Sequence, residues 1–452
     1  MFLRSSDTDR LFAATHALVQ RVGLRWHQAR CVATLLCTLY APAALLAQSP
    51  APGALTLQQA IATAAAHNHD LRLGTLAVQS AEATSLTAAA APNPTLTLQT
   101  FNINPSVGIG AGGLREKTVD STVRIDQVIE RGGKRALRVA SAAELESAAR
   151  QDLRDAARQL RINVTQAYYD LLAAQEKYVI TQDTAALFAH SVAAAQKRQR
   201  AGDLANADVA RLRIDALRAK NDEVQSQADL DKAQLALALL LGDPTRASSL
   251  QLTDAWPAPL FDDALPAAAL AEARADVRAA QARVRAATAQ RKLALAMRTR
   301  DVSIGVQAEH FPASATNSQG SGNSYGIAVQ IPLFVRYQFD GEIRTAQVAL
   351  DSAEESLRKV QDQARNDLLG SWQSAHAAAL RLQRFDTELI EAAKKSATAA
   401  EFAFSHGAIG VMDVLDARRT YRATRLDALA ARAEFAKSLA AWQAAVSESQ
   451  PK

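Results

Sequence analysis

Asp413 and Asp416 are the acids best placed to do chemistry in this chain of 452 residues. They stand three apart near the start of a predicted helix, so both carboxylates share one face. If symmetry gathered copies of such a pair into a ring, the ring would attract cations and repel anions at close range. A plainer use, in which Asp413 caps or solvates the helix start, is also open to it. Asp208 opens the corresponding helix of the first half. The histidines offer less. His67-Asn68-His69 sets two imidazoles two residues apart, on different helix faces, which does not suit a shared metal. His310, His376 and His406 are isolated and read as surface or packing residues. His406, beside Gly407, is the one placed for a partner contact or pH sensing. Asp262-Asp263 and Glu354-Glu355 read as surface acids rather than a catalytic pair. No P-loop, Gly-x-Ser-x-Gly or His-Glu-x-x-His pattern occurs. The expectation is a protein that is no enzyme and carries no cofactor and no resident metal.

Composition points to long packed helices. The chain is 48% hydrophobic but only 5% aromatic, and alanine fills most apolar positions. Alanine gives strong helices and close helix approach, with thin cores. The +5 net charge is mild, and basic residues alternate with acids instead of forming a patch interleaved with aromatics, so no nucleic-acid partner is expected. Residues 1–47 read as a signal peptide: Arg21, Arg25 and Arg30 precede an apolar run from Cys31 to Leu46, and Ala47 suits a cleavage site. The two cysteines, Cys31 and Cys37, lie inside that run, so the mature chain has no thiol, which fits an oxidising envelope compartment. Leu36 before Cys37 argues against lipid attachment. No later apolar run is long enough for a spanning helix, which leaves a β-barrel as the route into a membrane.

The element that positions everything else is the stretch from Lys134 to Gln199, without Gly or Pro. As one helix over 134–199 it would be ~100 Å long. Val164, Leu171, Tyr178, Ala185 and Val192 recur at heptad spacing along it. Around this rod the chain reads as two copies of one plan: residues 48–250, a connector 251–263, and residues 264–452. The first copy has a helix from Leu57 to Ala91, strands over about 95–101 and 119–129 joined by a Gly-rich loop at Asn102–Gly113, the long helix, a turn at Ala201-Gly202-Asp203, and a helix from Leu204 to Leu241. The second has a helix over 266–298, strands over about 301–309 and 325–334 joined by a loop at Ala313–Ser324, a long helix over about 341–405, a turn at Gly407–Gly410, and a last helix ending near Val446. The shift between halves holds to within one residue: Asp70 falls on Asp276, Leu98 on Ile304, Ile125 on Ile331, Gly202 on Gly407 and Asp208 on Asp413. That unit far exceeds the ~20–50 residues of solenoid repeats.

The predicted strands have one mainly apolar face. Val119, Val123 and Ile125 oppose Asp120, Thr122, Arg124 and Asp126. Four such strands cannot close, and an open edge cannot sit in lipid. Membrane barrels need about eight strands or more, so copies must combine; three give about twelve, enough for an aqueous bore.

Gly407-Ala408-Ile409-Gly410-Val411-Met412-Asp413-Val414-Leu415-Asp416-Ala417 resembles the turn and last-helix opening of the TolC-type outer-membrane efflux family. Gly202 to Asp208-Val209 is a degenerate copy, and the resemblance covers essentially the whole mature chain. The fold it implies is α+β and mostly helical: a TolC-like homotrimer with four strands per protomer in a shared outer-membrane β-barrel of about twelve strands, continued by a periplasmic α-barrel of long coiled-coil helices. The implied partners are outer-membrane lipid, an inner-membrane pump of the RND type and a periplasmic adaptor. The adaptor would dock at the tip turns Ala201, Gly202, Asp203, Leu204 and His406, Gly407, Ala408, Ile409, Gly410. Asp413 and Asp416 match the family's constriction acids, six of which meet at a threefold axis, and Asp208 matches an acid of its closing network. Phe404 and Ile409 stand where the family pattern has tyrosine and arginine, so that lock cannot form here; Arg211, Arg213, Arg418 and Arg419 are the alternatives. Arg131-Gly132-Gly133-Lys134-Arg135, the strand-to-helix junction, resembles the heavy-metal-cation branch, the outer component of cobalt–zinc–cadmium exporters. The implied function is passive conduction of substrate, heavy-metal cations first, from pump and adaptor to the exterior. Rival readings are the same fold serving organic compounds or type I protein secretion, and a soluble periplasmic adaptor or scaffold.

Overall fold

A computed structural model describes residues 54–103, 119–202, 204–261, 264, 269–312 and 322–447. The expected leader with Cys31 and Cys37, most of both strand-joining loops, Asp203 and Asp262-Asp263 lie outside the described residues.

The expected helix from Leu57 to Ala91 is two helices, α1 (Leu57–His67) and α2 (His69–Ala89). Asn68 adopts an extended conformation, and its side-chain oxygen accepts from the N–H groups of Asp70 (2.9 Å) and Leu71 (3.1 Å), capping α2 at the expense of continuity. Strands β2 (Thr95–Phe101) and β3 (Asp120–Ile129) follow a two-residue strand β1 (Ala54–Leu55). Helix α3 (Lys134–Arg200) is the long rod, and α4 (Asn206–Leu240) returns from it. After β4 (Gln251–Leu252), which pairs in parallel with β1, the plan recurs.

The expected helix over 266–298 is also broken, into α5 (Ala269–Glu272) and α6 (Ala275–Ala296). Here the break is Arg274, whose buried guanidinium binds Asp276 at 2.8 Å and Asp367 at 3.2 Å. Asn68 and Arg274 occupy matching positions in the two halves, so one interruption is made by two different chemistries. Strands β5 (Val302–Phe311) and β6 (Gly322–Gln330) lead to α7 (Asp340–Arg384). The second long helix is not continuous: a π turn, Phe385–Leu389, separates α7 from α8 (Ile390–Ser405). There Phe385 packs on the cluster around Leu382 and Phe435, and Asp386 is bonded by Arg432 at 2.8 Å. Helix α9 (Val411–Ser447) completes the described chain.

The main sheet is antiparallel, in the order β2-β3-β5-β6, and among the described residues both outer edges are open. Its register lines up Leu96, Ile125, Val306 and Ile327, then Leu98, Val123, Ala308 and Tyr325, across one face. Those side chains face solvent, up to 82% for Tyr325 and 80% for Ile327 on the edge strand. The other face carries Thr97, Arg124 and Gln307 in one row. Arg124 pairs with Asp126 at 2.7 Å, and Gly305 supplies the space beside them.

The helices continue this order. α2 packs on α3, α3 on α6, and α6 on α7, so the layer α2-α3-α6-α7 extends the strands β2-β3-β5-β6. Alanine makes the approach close: Ala279, Ala282 and Ala286 of α6 are buried, and Ser141 of α3 donates to the Ala286 carbonyl at 3.2 Å. The heptad seam of α3 holds at its centre, where Val164, Tyr168 and Leu171 are wholly buried against Ala60, Ala64 and Leu237. The connector straps this region, with Trp256 stacked on Tyr169 at 5.7 Å and donating to Glu176 at 2.7 Å. Among the described residues no helix is long and apolar enough to cross a membrane.

Candidate functional site

The two tip turns are built from helix C-terminal caps. Gly202 (φ +86°) and Gly407 (φ +75°) take the left-handed conformation that ends α3 and α8. At the second turn the Gly407 N–H reaches the Phe404 carbonyl at 3.0 Å and the Ala408 N–H the Ala403 carbonyl at 2.8 Å, a complete Schellman closure. Both turns lie at one end of the molecule, because Val209 and Leu212 after the first share a buried cluster with Leu415 after the second. Leu204 and Val411 pack on the same cluster. Ala201, Gly202, His406, Gly407, Ala408 and Gly410 are exposed and Ile409 is half-buried; the His406 ring packs on Phe402 with centroids 4.2 Å apart.

The three acids differ in their contacts. Asp413 accepts from the Gly410 N–H at 3.2 Å, so it caps its own helix. Asp416 is exposed and has no ion pair among the described residues. Asp208 is 4.0 Å from Arg211 on its own helix.

Of the arginines offered as alternatives to the lock, Arg418 and Arg419 make contacts that join the helices here, with partners that sequence reasoning did not name. Arg419 of α9 pairs with Asp215 of α4, whose carboxylate is only 7% exposed. Arg422 pairs with Asp222 at 2.6 Å. Arg418 binds Glu401 at 2.8 Å and reaches Ser191 of α3 at 3.3 Å. Arg198 lies over the Phe404 ring at 5.6 Å, a cation–π contact. Asp215 was legible in principle: it sits three residues after Leu212 and four before Ala219, in the core phase of α4, where an acid needs a partner.

The strand-to-helix junction is more tightly specified. Gly132 (φ +73°) and Gly133 (φ +69°) are both left-handed, and a Cβ on Gly132 would come within 2.9 Å of Thr299. They bring Lys134 inward, where its ammonium donates to the Thr299 carbonyl and to Asp301, each at 2.8 Å. The Arg131 N–H donates to the same Asp301 oxygen at 2.9 Å. Burial opposes ionisation of Asp301, yet Lys134 and that N–H hold its carboxyl below the ordinary range. Arg138 grips Glu130 with two bonds and lowers its pKa. Arg135 is exposed and donates to the Ala89 carbonyl at 2.6 Å. The junction of the first half is thereby fastened to the β5 entry of the second.

Residues 60–243 and 265–447 match the family described as outer membrane efflux protein. The cobalt-zinc-cadmium resistance protein CzcC of Cupriavidus metallidurans is 27% identical over 386 residues, 83% of this chain and 86% of that protein. Two solved structures share the fold. The Campylobacter jejuni CmeC outer membrane channel has a TM-score of 0.73 at 14% identity, over 87% of this chain and 86% of that one. The outer membrane protein VceC of Vibrio cholerae has a TM-score of 0.70 at 19% identity, over 86% of this chain and 95% of that one.

Proposed function

Because the chain belongs to the outer membrane efflux protein family, a family of transport channels rather than enzymes, we propose that it is the outer duct of a tripartite exporter. Three copies pool their sheets into one outer-membrane barrel of about twelve strands and their helices into a periplasmic tunnel. The observation that carries this reading is the pair of open edges. The sheet ends at β2 and β6 with exposed apolar side chains on one face, and the helix layer ends at α2 and α7 in the same order. A single copy leaves unpaired backbone at those edges, which lipid does not tolerate; neighbouring copies satisfy both layers at once. The repeated order of elements reads as an internal duplication that supplies half of each edge-to-edge unit.

The proposed cargo is heavy-metal cations, supported by the kinship with a cobalt-zinc-cadmium resistance protein over most of both chains. The tip turns are the surface for a periplasmic adaptor, with an RND-type pump supplying the energy. Asp416 and Asp413 line the narrow periplasmic end, Asp416 with the freer charge because Asp413 also caps α9.

One preparation tests the reading. The mature protein, purified in detergent and inserted in planar bilayers, is expected to be trimeric and to conduct, with current blocked by multivalent cations. Replacing both acids, Asp413→Ala with Asp416→Ala, is expected to weaken that block. A monomer in detergent, or release from the envelope without detergent, ends the duct interpretation; unchanged block removes the two acids from the constriction.

A further inference from the structure

The break between α1 and α2 changes what His67 and His69 can do. On one continuous helix, residues two apart point to different faces, and the pair does not suit a shared metal. The helix is not continuous. α1 ends at His67, α2 begins at His69, and Asn68 between them is extended (φ −69°, ψ 128°). Extended backbone turns residues two apart toward one side. Both histidines are exposed, and both line one groove of about 740 Å³ together with Arg72 of α2 and Gly242 beyond α4.

The His67 ring is already set as a ligand. Its Nδ1 lies 2.9 Å from the Thr63 carbonyl, which can only accept, so Nδ1 carries the proton and Nε2 presents its lone pair. A ring N–H bonded to a backbone carbonyl is the usual way to fix the tautomer and orientation of a metal-binding histidine. Gly242 (φ +80°) closes on the base of that side chain, where an added Cβ would come within 3.0 Å of the His67 Cβ. The His69 ring has no hydrogen bond, ion pair or ring contact among the described residues, so it can turn toward the same ion.

The fold requires neither imidazole. In the second half the matching break at Arg274 is flanked by Ala273 and Ala275. Asn68 or Arg274 makes the break, and histidines on both sides of it in one half alone are surplus to that task.

We propose that His67 and His69 bind one divalent transition-metal ion through both imidazoles, across the break between α1 and α2. Among the described residues no group of three or more His, Cys, Asp or Glu is placed to hold an ion, so water completes the shell and the ion exchanges readily. Imidazole nitrogen selects copper(II), nickel(II), zinc(II) and cobalt(II) over magnesium and calcium, which prefer oxygen. No carboxylate lines the groove and Arg72 adds a positive charge to it, so charge alone gathers no cation there and the nitrogen donors must. A bound ion ties α1 to α2 and, by binding the folded state, raises the unfolding temperature. The site is a property of the folded chain and does not depend on the duct reading.

Copper(II) is the probe, because among these ions it binds nitrogen donors most tightly. The mature protein, purified in detergent, is loaded with one equivalent of copper(II) per chain, and pulsed electron paramagnetic resonance counts the imidazoles on the ion. Two are expected in the native protein and one in either His67→Ala or His69→Ala. Calorimetry is expected to show the affinity for copper(II) and for nickel(II) falling ~10-fold or more in each variant, with no competition from excess magnesium. His406→Ala, which removes an isolated histidine, is expected to change neither readout. Both test variants carry alanine where the second half has it, and circular dichroism checks that they fold as the native protein does. One imidazole or none on the ion in the native protein overturns the proposal without recourse to any variant, and so does unchanged affinity in both. Neither measurement involves conduction: a protein that conducts without gathering two imidazoles keeps the duct and loses the metal site, and one that gathers them without conducting does the reverse.

Discussion

The two strand-to-helix junctions use one backbone turn and opposite chemistry. Gly133 (φ +69°) precedes α3, and at the matching position Phe339 (φ +64°) precedes α7. The first junction is fastened by charge: α3 begins with Lys134, buried against Asp301. At the second the charges are exchanged and exposed: α7 begins with Asp340, which meets Arg298 at 2.5 Å. Its hold is aromatic instead. Phe339 meets Phe334 edge-on at 5.0 Å and Tyr337 at 6.1 Å, and Arg300 lies over Phe334. Those rings offset the ~1–2 kcal/mol that a left-handed non-glycine residue costs. Position in the layer explains the divergence. β3 and α3 lie in the interior, next to β5 and α6, where a long cation can be enclosed. β6 is the last strand of the sheet among the described residues and α7 the last helix of the layer, where a long side chain is not enclosed from both sides. The two junctions share a backbone geometry because it sets how a strand enters a helix; their side chains differ with what surrounds them.

The largest effect expected from this contrast is at Lys134. Lys134→Ala leaves the Asp301 carboxylate and the Thr299 carbonyl without their cation, and is expected to cost about 2 kcal/mol, moderated because Asp301 is 30% exposed. Asp340→Ala removes a pair whose acid is 72% exposed, and is expected to cost less than ~0.5 kcal/mol. Thermal unfolding of the purified variants in detergent, followed by circular dichroism, compares the two. Equal shifts would erase the distinction between an enclosed and an open junction.

Acid should separate the junctions in the same direction and by less. The Asp301 and Glu130 carboxyls are held below their ordinary values when folded, so their contribution is complete above the ordinary carboxylate range and is lost as pH falls through the lowered folded values. The unfolding midpoint of the native protein is expected to fall below about pH 4, and that of Lys134→Ala to fall less, since part of the linkage is already gone. Parallel profiles would mean that other acids govern the loss.

How much of this was open to sequence reading follows from what periodicity can carry. Strands β2, β3 and β5, both tip turns and the long α3 were legible because alternation, heptads and glycine caps are local patterns; the last strand, expected over about 325–334, instead runs Gly322–Gln330, since the alternation of Ile331 and Leu333 continues past the end of the ladder. The breaks at Asn68 and Arg274 were not, since each lies inside an apolar helical rhythm and is decided by one side chain. Asn68 competes with its own backbone, whereas Arg274 answers Asp367, far along the chain. The π turn shows no local sign either: Phe385–Leu389 has ordinary helix formers, and the seat for Phe385 is made by Phe435 and Leu382. At the tip the acids were singled out by their resemblance to a family motif, with their spacing in support. The bridge from Arg419 to Asp215 joins helices from different halves: Arg419 was named as an alternative for the lock, whereas its partner could be reached only through the core phase of Asp215.

The smallest effect is expected at Tyr337. Its hydroxyl accepts from the Gly341 N–H at 2.9 Å and donates to Glu342 at 2.6 Å, satisfying one of the unpaired donors at the start of α7. Tyr337→Phe deletes both bonds and keeps the ring against Phe339. Because the site is exposed, water replaces the lost hydroxyl, and the unfolding midpoint is expected to move by less than ~2 °C. A loss as large as that of Lys134→Ala would show that the second junction is held by hydrogen bonding and not by its rings. The two halves would then have exchanged one polar fastening for another, and the open edge would no longer account for the aromatic residues gathered there.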